Sequence, residues 1–291
     1  MQRIITTDDL REAKQHGAPD FPMKFYIDDT REFYNNRLDW HWHNEFEILT
    51  ISEGTAIVHI DSHSFTLNSG EGLFINSSIL HQFASESYAI MPNILFSPAF
   101  IAPVQSTIYQ KYVAPIEDST LSYLIFRPNI MWHKQILELL HSLFYQLSQE
   151  TFNELYIRTL LSEIWLIMLE YIEPSLIKRE NSARIDFSYK SVPVMIQYIQ
   201  IHYADEITLK DVAAAAKVSK NTAIRYFNAR IGCSPIDYLI QYRISIACRL
   251  LRETADKVTH IAASVGYTNT SYFCRLFKKT VGLSPKEYRF L

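Results

Sequence analysis

The stretch Arg225-x-Phe227-x-x-x-Ile231-Gly232-x-Ser234-Pro235-x-Asp237-Tyr238 returns 50 residues later as Arg275-x-Phe277-x-x-x-Val281-Gly282-x-Ser284-Pro285-x-Glu287-Tyr288. Upstream of it, Val212-Ala213 matches Ile261-Ala262 at an offset of 49, so one residue is inserted in the turn of the second copy. Two copies of one unit predict two similar supersecondary structures. The shared residues have physical reasons to be there. Gly232 and Gly282 fall where a helix ends and a left-handed residue costs least. Ser234-Pro235-x-Asp237 and Ser284-Pro285-x-Glu287 then start a new helix, with a hydroxyl N-cap, Pro at the first helical position and an acid at the third.

Working outward, each copy reads as a helix, a turn and a second helix. In the first, Thr208 caps a short helix through Asp211 to Ala216, Val218-Ser219 is the turn, and the second helix spans about Lys220 to Arg230. Ala213 to Ala216 offer small side chains against which another helix can pack closely. In the second, Val258 to Ser264, Val265-Gly266-Tyr267 and Thr270 to Thr280 take the same parts. A second helix so placed can lie in the major groove and present its N-terminal side chains to base edges. Between the copies, Pro235 to Arg252 reads as one helix with a buried stripe of Leu239, Tyr242, Ile246 and Leu250. Its length of about 27 Å approaches one DNA turn of about 34 Å, so successive major grooves are within its reach.

Charge agrees with this reading. Residues 191–291 carry 14 Lys and Arg against 7 Asp and Glu, whereas residues 1–190 carry 14 against 24. A basic module beside an acidic one is the footprint of a phosphate-binding domain.

The stretch from about Val192 to Arg289 is similar to the DNA-binding domain of the AraC/XylS family. The resemblance rests on Ile261-Ala262-x-x-Val265-Gly266-Tyr267, on Ser271-Tyr272-Phe273-x-Arg275-x-Phe277-Lys278-Lys279, and on Gly282-x-Ser284-Pro285-x-x-Tyr288-Arg289. It implies that both second helices contact the major groove of promoter DNA. The matching positions are Asn221, Ile224 and Arg225 in the first, and Thr270, Ser271, Cys274, Arg275 and Lys278 in the second. Arg225 and Arg275 suit guanine edges or phosphates. Asn221 suits adenine or the turn itself. Ile224 departs from a polar reader and suits a thymine methyl or no contact. Lys278 and Lys279 suit phosphates or a solvated face. Phe227, Tyr267, Phe273 and Phe277 belong to the core.

The N-terminal half has a different rhythm. From about Phe21 to Phe126, short runs such as FEILTIS (46–52), TAIVHI (55–60), SFTL (64–67) and GLFIN (72–76) are broken by Gly54, Asp61-Ser62 and Asn68-Ser69-Gly70. That spacing predicts antiparallel strands in a small barrel or jelly roll. From about Met131 the period becomes helical. One stripe holds Ile136, Leu139, Leu140, Leu143 and Leu147; a second holds Ile157, Leu160, Leu161, Ile164, Met168 and Tyr171. Such a hairpin caps the barrel or mediates dimerisation. Residues 173–190 lose periodicity and read as a linker. The expected architecture is therefore α+β and multidomain: a cupin-like sensor over 1–126, a helical hairpin over 127–172, a linker over 173–190, and an all-α domain with two helix-turn-helix motifs over 191–291.

Trp40-His41-Trp42-His43-Asn44-Glu45-Phe46-Glu47, followed by Gly54, resembles the first cupin motif, H-x-H-x(3)-E-x(6)-G. His81, after Gly70-Glu71-Gly72 and a further strand, stands where the second motif supplies its histidine, although Ser77 and Ser78 replace the usual Pro-containing turn. In metal cupins these four side chains converge on Fe, Mn, Ni or Zn. In the cupin-like domains of AraC-type regulators the segment orients a ligand or makes buried hydrogen bonds. The expectation here is a ligand pocket of Trp40, His41, Trp42, His43, Glu47 and His81, with no metal and no cofactor assigned. Aromatic faces beside His and Glu suit a sugar.

The polar N-terminus, the absence of a membrane-length apolar run, and three cysteines (Cys233, Cys248, Cys274) without metal-ligand spacing point to the cytoplasm. Taken together the sequence predicts a non-enzymatic, ligand-responsive transcription factor. Its expected partners are double-stranded promoter DNA, a small-molecule effector, the transcription machinery and a second copy of the chain. The competing expectation is a metal-dependent cupin enzyme fused to a DNA-binding domain.

Overall fold

A computed structural model describes residues 4–7, 10–172 and 182–290, the side chains of 182–190 excepted. The chain divides into two compact units, 1–186 and 187–291.

The first unit is built on nine antiparallel strands: β1 (Met23–Asp29), β2 (Arg37–His41), β3 (Phe46–Thr50), β4 (Glu53–Ile60), β5 (His63–Asn68), β6 (Gly72–Ile75), β7 (His81–Ala84), β8 (Ala89–Phe96) and β9 (Tyr123–Phe126). Their path runs β2-β7-β4-β8-β3-β6-β9, with β1 added to β8 and β5 to β4. Two ladders result, one of β1, β8, β3, β6 and β9, the other of β2, β7, β4 and β5. Strand β4 joins them. Glu53 and Gly54 pair with Ile90 and Ala89 of β8, and from Thr55 onward the strand pairs with β5 and β7. Gly54 makes that corner at φ +76°, with its Cα so close to β8 that an added Cβ would stand 2.1 Å from the Tyr88 carbonyl oxygen.

The alternation of β3 sets what lies on each side of its sheet. Phe46 and Ile48 point to one face, where they join Phe74, Ile94 and Phe96 in a core completed by helices α2 (Met131–Leu147) and α3 (Glu154–Tyr171). These follow a four-residue helix α1 (Ala114–Glu117). Ile136, Leu140 and Leu143 of α2 and Ile157, Leu161, Ile164 and Met168 of α3 are fully buried there. Trp165 ties hairpin to sheet: its ring stacks 5.1 Å from Phe46, and its indole N–H donates to the Tyr112 carbonyl at 2.9 Å. The expected apolar stripes thus cover the outer face of a sheet. Leu155 and Leu166 of α3 remain exposed.

The second unit is helical: α4 (Ser182–His202), α5 (Leu209–Ala215), α6 (Lys220–Ile231), α7 (Pro235–Glu253), α8 (Val258–Ser264), α9 (Thr270–Val281) and α10 (Pro285–Arg289). The expected linker over 173–190 requires a correction. Residues 173–181 lie outside the described residues, and from Ser182 the backbone is helical. That segment lacks an apolar stripe, which hid the helix, yet no Gly or Pro interrupts it before Pro193.

The helix boundaries follow local chemistry. Thr208 and Asp211 form a reciprocal capping box on α5, and Ser284 and Glu287 form one on α10. Ser219 and Ser234 cap α6 and α7. Gly232 (φ +78°) and Gly282 (φ +87°) end α6 and α9 in the left-handed region. Helix α7 has 19 residues, about 28 Å at 1.5 Å per residue. Its burial is wider than the single expected stripe. Tyr238 packs edge-on against Phe227 of α6, while Ile244, Ala247 and Leu251 share a core with Ile261, Val265, Phe273 and Phe277. Tyr242 and Leu250 are only partly buried. Arg243 leaves the same rod to donate to the Tyr203 and Asp205 carbonyls at 2.6 and 2.7 Å, beyond the end of α4, and lies 5.1 Å over the Tyr267 ring.

The β4 corner gives a direct test. Gly70 has a similar φ, +86°, but open space around it, so Gly70→Ala should cost only about 1 kcal/mol of backbone strain. Gly54→Ala adds a backbone collision to that strain. Urea unfolding followed in the first unit should show Gly54→Ala to be several times more destabilising; equal losses would overturn the reading of the corner.

Candidate functional site

Helices α6 and α9 have the same construction. Ala223 and Phe227 of α6, and Phe273 and Phe277 of α9, are buried. The opposite face of α6 exposes Asn221 and Arg225, four residues apart and therefore on one side, with Ile224 partly buried beside them. On α9, Ser271, Arg275 and Lys278 are exposed, and Thr270 and Cys274 are partly buried. Asn269 caps α9 by accepting from the Tyr272 N–H at 2.9 Å, which leaves Thr270 and Ser271 on its first turn. Seven of the eight residues expected from the sequence thus lie on the N-terminal two-thirds of the two second helices, and Lys278 follows near the C-terminal end of α9. The backbone N–H groups at these N-termini add positive potential where phosphates approach.

In the first unit, His41, His43, Glu47 and His81 come together. A bulge in the β2–β7 pairing lies between Leu38↔Phe83 and His41↔His81, three residues on one strand against two on the other. It sets His41 beside His81, ring centroids 4.2 Å apart. His43 lies 5.1 Å from His81 and 5.9 Å from His41. Each ring is tethered by its outer nitrogen to a main-chain carbonyl two residues away. His41 Nδ1 is 2.8 Å from Asp39 O, His43 Nδ1 is 3.1 Å from Glu45 O, and His81 Nδ1 is 2.8 Å from Ile79 O. A carbonyl only accepts, so each Nδ1 carries a proton and each Nε2 is left to face the cluster. Glu47 Oε2 lies 3.4 Å from His43 Nε2 and 3.2 Å from His81 Nε2. Burial, reinforced by His81 and His43, pushes the His41 imidazole well below its ordinary range. Burial would raise the Glu47 carboxyl, but its contacts with His43 and His81 hold it well below the usual carboxylate range.

His41, His43 and Glu47 line one side of a cavity of about 550 Å³. Its other walls include groups that no sequence motif marks. Asp28 and Tyr26 come from β1, and Asn93 comes from β8, where it pairs with Tyr26. Asn93 Nδ2 donates to Asp28 at 2.7 Å, and burial pushes the Asp28 carboxyl up to about 6. Lys14 and His16 come from the N-terminal segment, Lys14 lying 4.1 Å over the Tyr26 ring and His16 Nδ1 3.0 Å from the Tyr26 hydroxyl. That segment is fixed by its backbone: the Glu12 N–H donates to Trp42 O, and the Trp42 N–H donates to Leu10 O.

Trp40 and Trp42 require a correction, because neither joins the cavity wall. Next to His41 on a pleated strand, they point the other way. Trp40 is buried near His59, and Arg11 lies over Trp42. The aromatic walls are instead Tyr26, Phe33 and Phe83. His81 completes the cluster without lining the cavity.

Comparison with known proteins places both units. Residues 30–164 match the family model of the AraC-like ligand binding domain, and residues 212–290 match that of a helix-turn-helix domain. The chain is 29% identical to the uncharacterized HTH-type transcriptional regulator YdeC of Bacillus subtilis, over 99% of each chain. It is 24% identical to the HTH-type transcriptional activator RhaR of Mannheimia succiniciproducens, over 89% of this chain and 90% of that one. It is 25% identical to the HTH-type transcriptional activator RhaS of Escherichia fergusonii, over 86% of each. An antiparallel β unit with a ligand-binding signature, followed by two helix-turn-helix motifs, is thus the whole described plan of the molecule, and the chain belongs to the AraC family of transcriptional regulators.

Proposed function

We propose that this regulator reads an asymmetric operator through Asn221, Ile224 and Arg225 of α6 and through Thr270, Ser271, Cys274, Arg275 and Lys278 of α9. The carrying observation is that Arg225 and Arg275 occupy equivalent exposed positions on two helices whose opposite faces are core. The two sets of side chains differ, so the half-sites differ and a single copy favours a direction on DNA. An effector in the first unit shifts the population between arrangements of the two units, changing which half-sites are engaged. The protein acts in the cytoplasm, as a homodimer, on the transcription machinery. Leu155 and Leu166, left uncovered on α3, supply apolar surface for the dimer contact. The names of the relatives support a regulator and not an enzyme.

The effector is a polyhydroxylated molecule of sugar type. Support comes from a cavity in which Asp28, Asn93 and the histidines offer hydrogen bonds and Tyr26, Phe33 and Phe83 offer flat apolar faces. Isothermal titration against a panel of sugars should give saturable heat for at least one; no heat from any of them would remove the sugar assignment.

The DNA reading is tested by Arg225→Ala and Arg275→Ala, measured at fixed salt. Each should weaken specific operator binding by about 10- to 100-fold if it contacts a base edge, with circular dichroism unchanged. A phosphate contact would instead weaken specific and non-specific binding alike and lower the salt slope by about 1. Unchanged affinity for both variants would refute this placement of the reading helices.

A further inference from the structure

We propose that the effector carries a protonated amine, received on the cavity wall by the Asp28 carboxylate and the side-chain oxygen of Asn93. The proposal rests on the reading of this cavity as the effector site and adds a charge to the molecule that fills it.

The first observation is an acceptor left over. Asn93 is 2% exposed and belongs to the cavity wall. Its Nδ2 donates to Asp28 at 2.7 Å and to the Met91 carbonyl at 3.0 Å. Both partners accept, so the amide cannot be turned around and its oxygen has a fixed place. Asn93 Oδ1 is then buried without a donor. A buried oxygen so placed is costly until a ligand brings it an N–H or O–H.

The second observation is the balance of charge. Glu12, Asp28, Glu32 and Glu47 line the cavity, and against these four carboxylates stands one lysine, Lys14. Lys14 is exposed and places its ammonium over the Tyr26 ring, 4.1 Å from the centroid. Glu12 and Glu47 have histidine partners, each at 3.2 Å, in His16 and His81. Asp28 has its hydrogen bond from Asn93 and, among the described residues, no ion pair. Burial first, and the charges of Glu47 and Glu12 after it, lift the Asp28 carboxyl to about 6, while Asn93 and Lys14 oppose the rise. At neutral pH Asp28 is therefore mostly charged, in a place that disfavours charge. Burial and then Glu12 and Asp28 likewise push the Tyr26 hydroxyl up to about 12.

The two observations meet at one patch, because the free oxygen and the unpaired carboxylate are joined through a single amide group. An ammonium has three donors and no acceptor, so it serves both acceptors and neutralises Asp28 as well. A hydroxyl would satisfy Asn93 and leave the charge of Asp28 uncompensated. A ligand carboxylate would add another anion to an anionic cavity.

The test titrates the full chain calorimetrically at neutral pH and low salt. The probes are glucosamine, galactosamine and mannosamine, each beside its neutral parent sugar and its N-acetyl form, together with glucuronate, putrescine and spermidine. At least one amine should bind at least about tenfold more tightly than its uncharged counterparts, the size of a lost charge-assisted hydrogen bond, and glucuronate should give no heat. Asp28→Asn keeps the shape of the side chain and should abolish that preference. Lys14→Gln, on the exposed N-terminal segment, removes a like charge and should tighten amine binding several-fold. An amino sugar that binds where the polyamines do not identifies the source of the ammonium as a sugar. A polyamine that binds where no sugar does keeps the ammonium and removes the sugar assignment. A neutral sugar or glucuronate bound as tightly as the matching amine overturns this proposal and leaves the sugar assignment standing. Silence from every amine overturns it too, as does a preference that survives Asp28→Asn or an amine affinity that falls in Lys14→Gln.

Discussion

Helix α7 must be apolar on two flanks at once, and both helix-turn-helix units depend on that requirement. An ordinary surface helix buries one stripe. Here Tyr238 packs on Phe227 of one unit, while Ile244, Ala247 and Leu251 face the other. The spacing of the two reading helices is therefore set by one rigid element and not by a flexible connection. Closing each unit onto the rod then falls to short features. Left-handed Gly232 and Gly282 stop the second helices, and the Ser-Pro steps that follow restart the chain at once.

The sensor unit solves a different problem, that of holding polar groups in a dry interior. Strand alternation sends Phe46 and Ile48 to the hairpin and Glu47 to the opposite side. A single bulge in β2 then brings His41 against His81. Main-chain carbonyls orient the three rings from outside, so the cluster draws its geometry from the backbone and needs no further side-chain shell. The same sheet carries Trp165 and the hairpin on its far face. Packing on one side and polar chemistry on the other are thus two readings of one strand.

Local chemistry is what the sequence displays most legibly. The caps, the glycine stops and the helix boundaries of the C-terminal unit follow from residues within four positions of each other, and the structure places them within one or two residues of expectation. The convergence of His41, His43 and Glu47 also follows from spacing. What escaped depends on distant pairing. Tyr26, Asp28 and Asn93 meet only because β1 adds to β8 in one register, and nothing in either strand announces the partner. Lys14 and His16 belong to a segment with no periodicity at all. Trp40 and Trp42 adjoin His41 in sequence but not in the cavity wall, since neighbours along a strand occupy opposite faces. The start of α4 was missed because a helix without an apolar stripe leaves no periodic signal.

Arg243 sets a practical boundary. Its guanidinium is satisfied by two carbonyls just past α4 and by the face of Tyr267, in the turn that leads to α9. The span recognisable as helix-turn-helix begins only at 212. A fragment cut there would discard those carbonyls together with Val192, Met195, Ile196 and Ile199, all fully buried. What looks like a detachable DNA-binding module is therefore a partial one. The smallest piece of this chain able to stand alone has to keep α4 and the Tyr203 and Asp205 carbonyls after it, a stretch that contributes no reading residue and yet holds Arg243 against the turn that leads to the second reading helix.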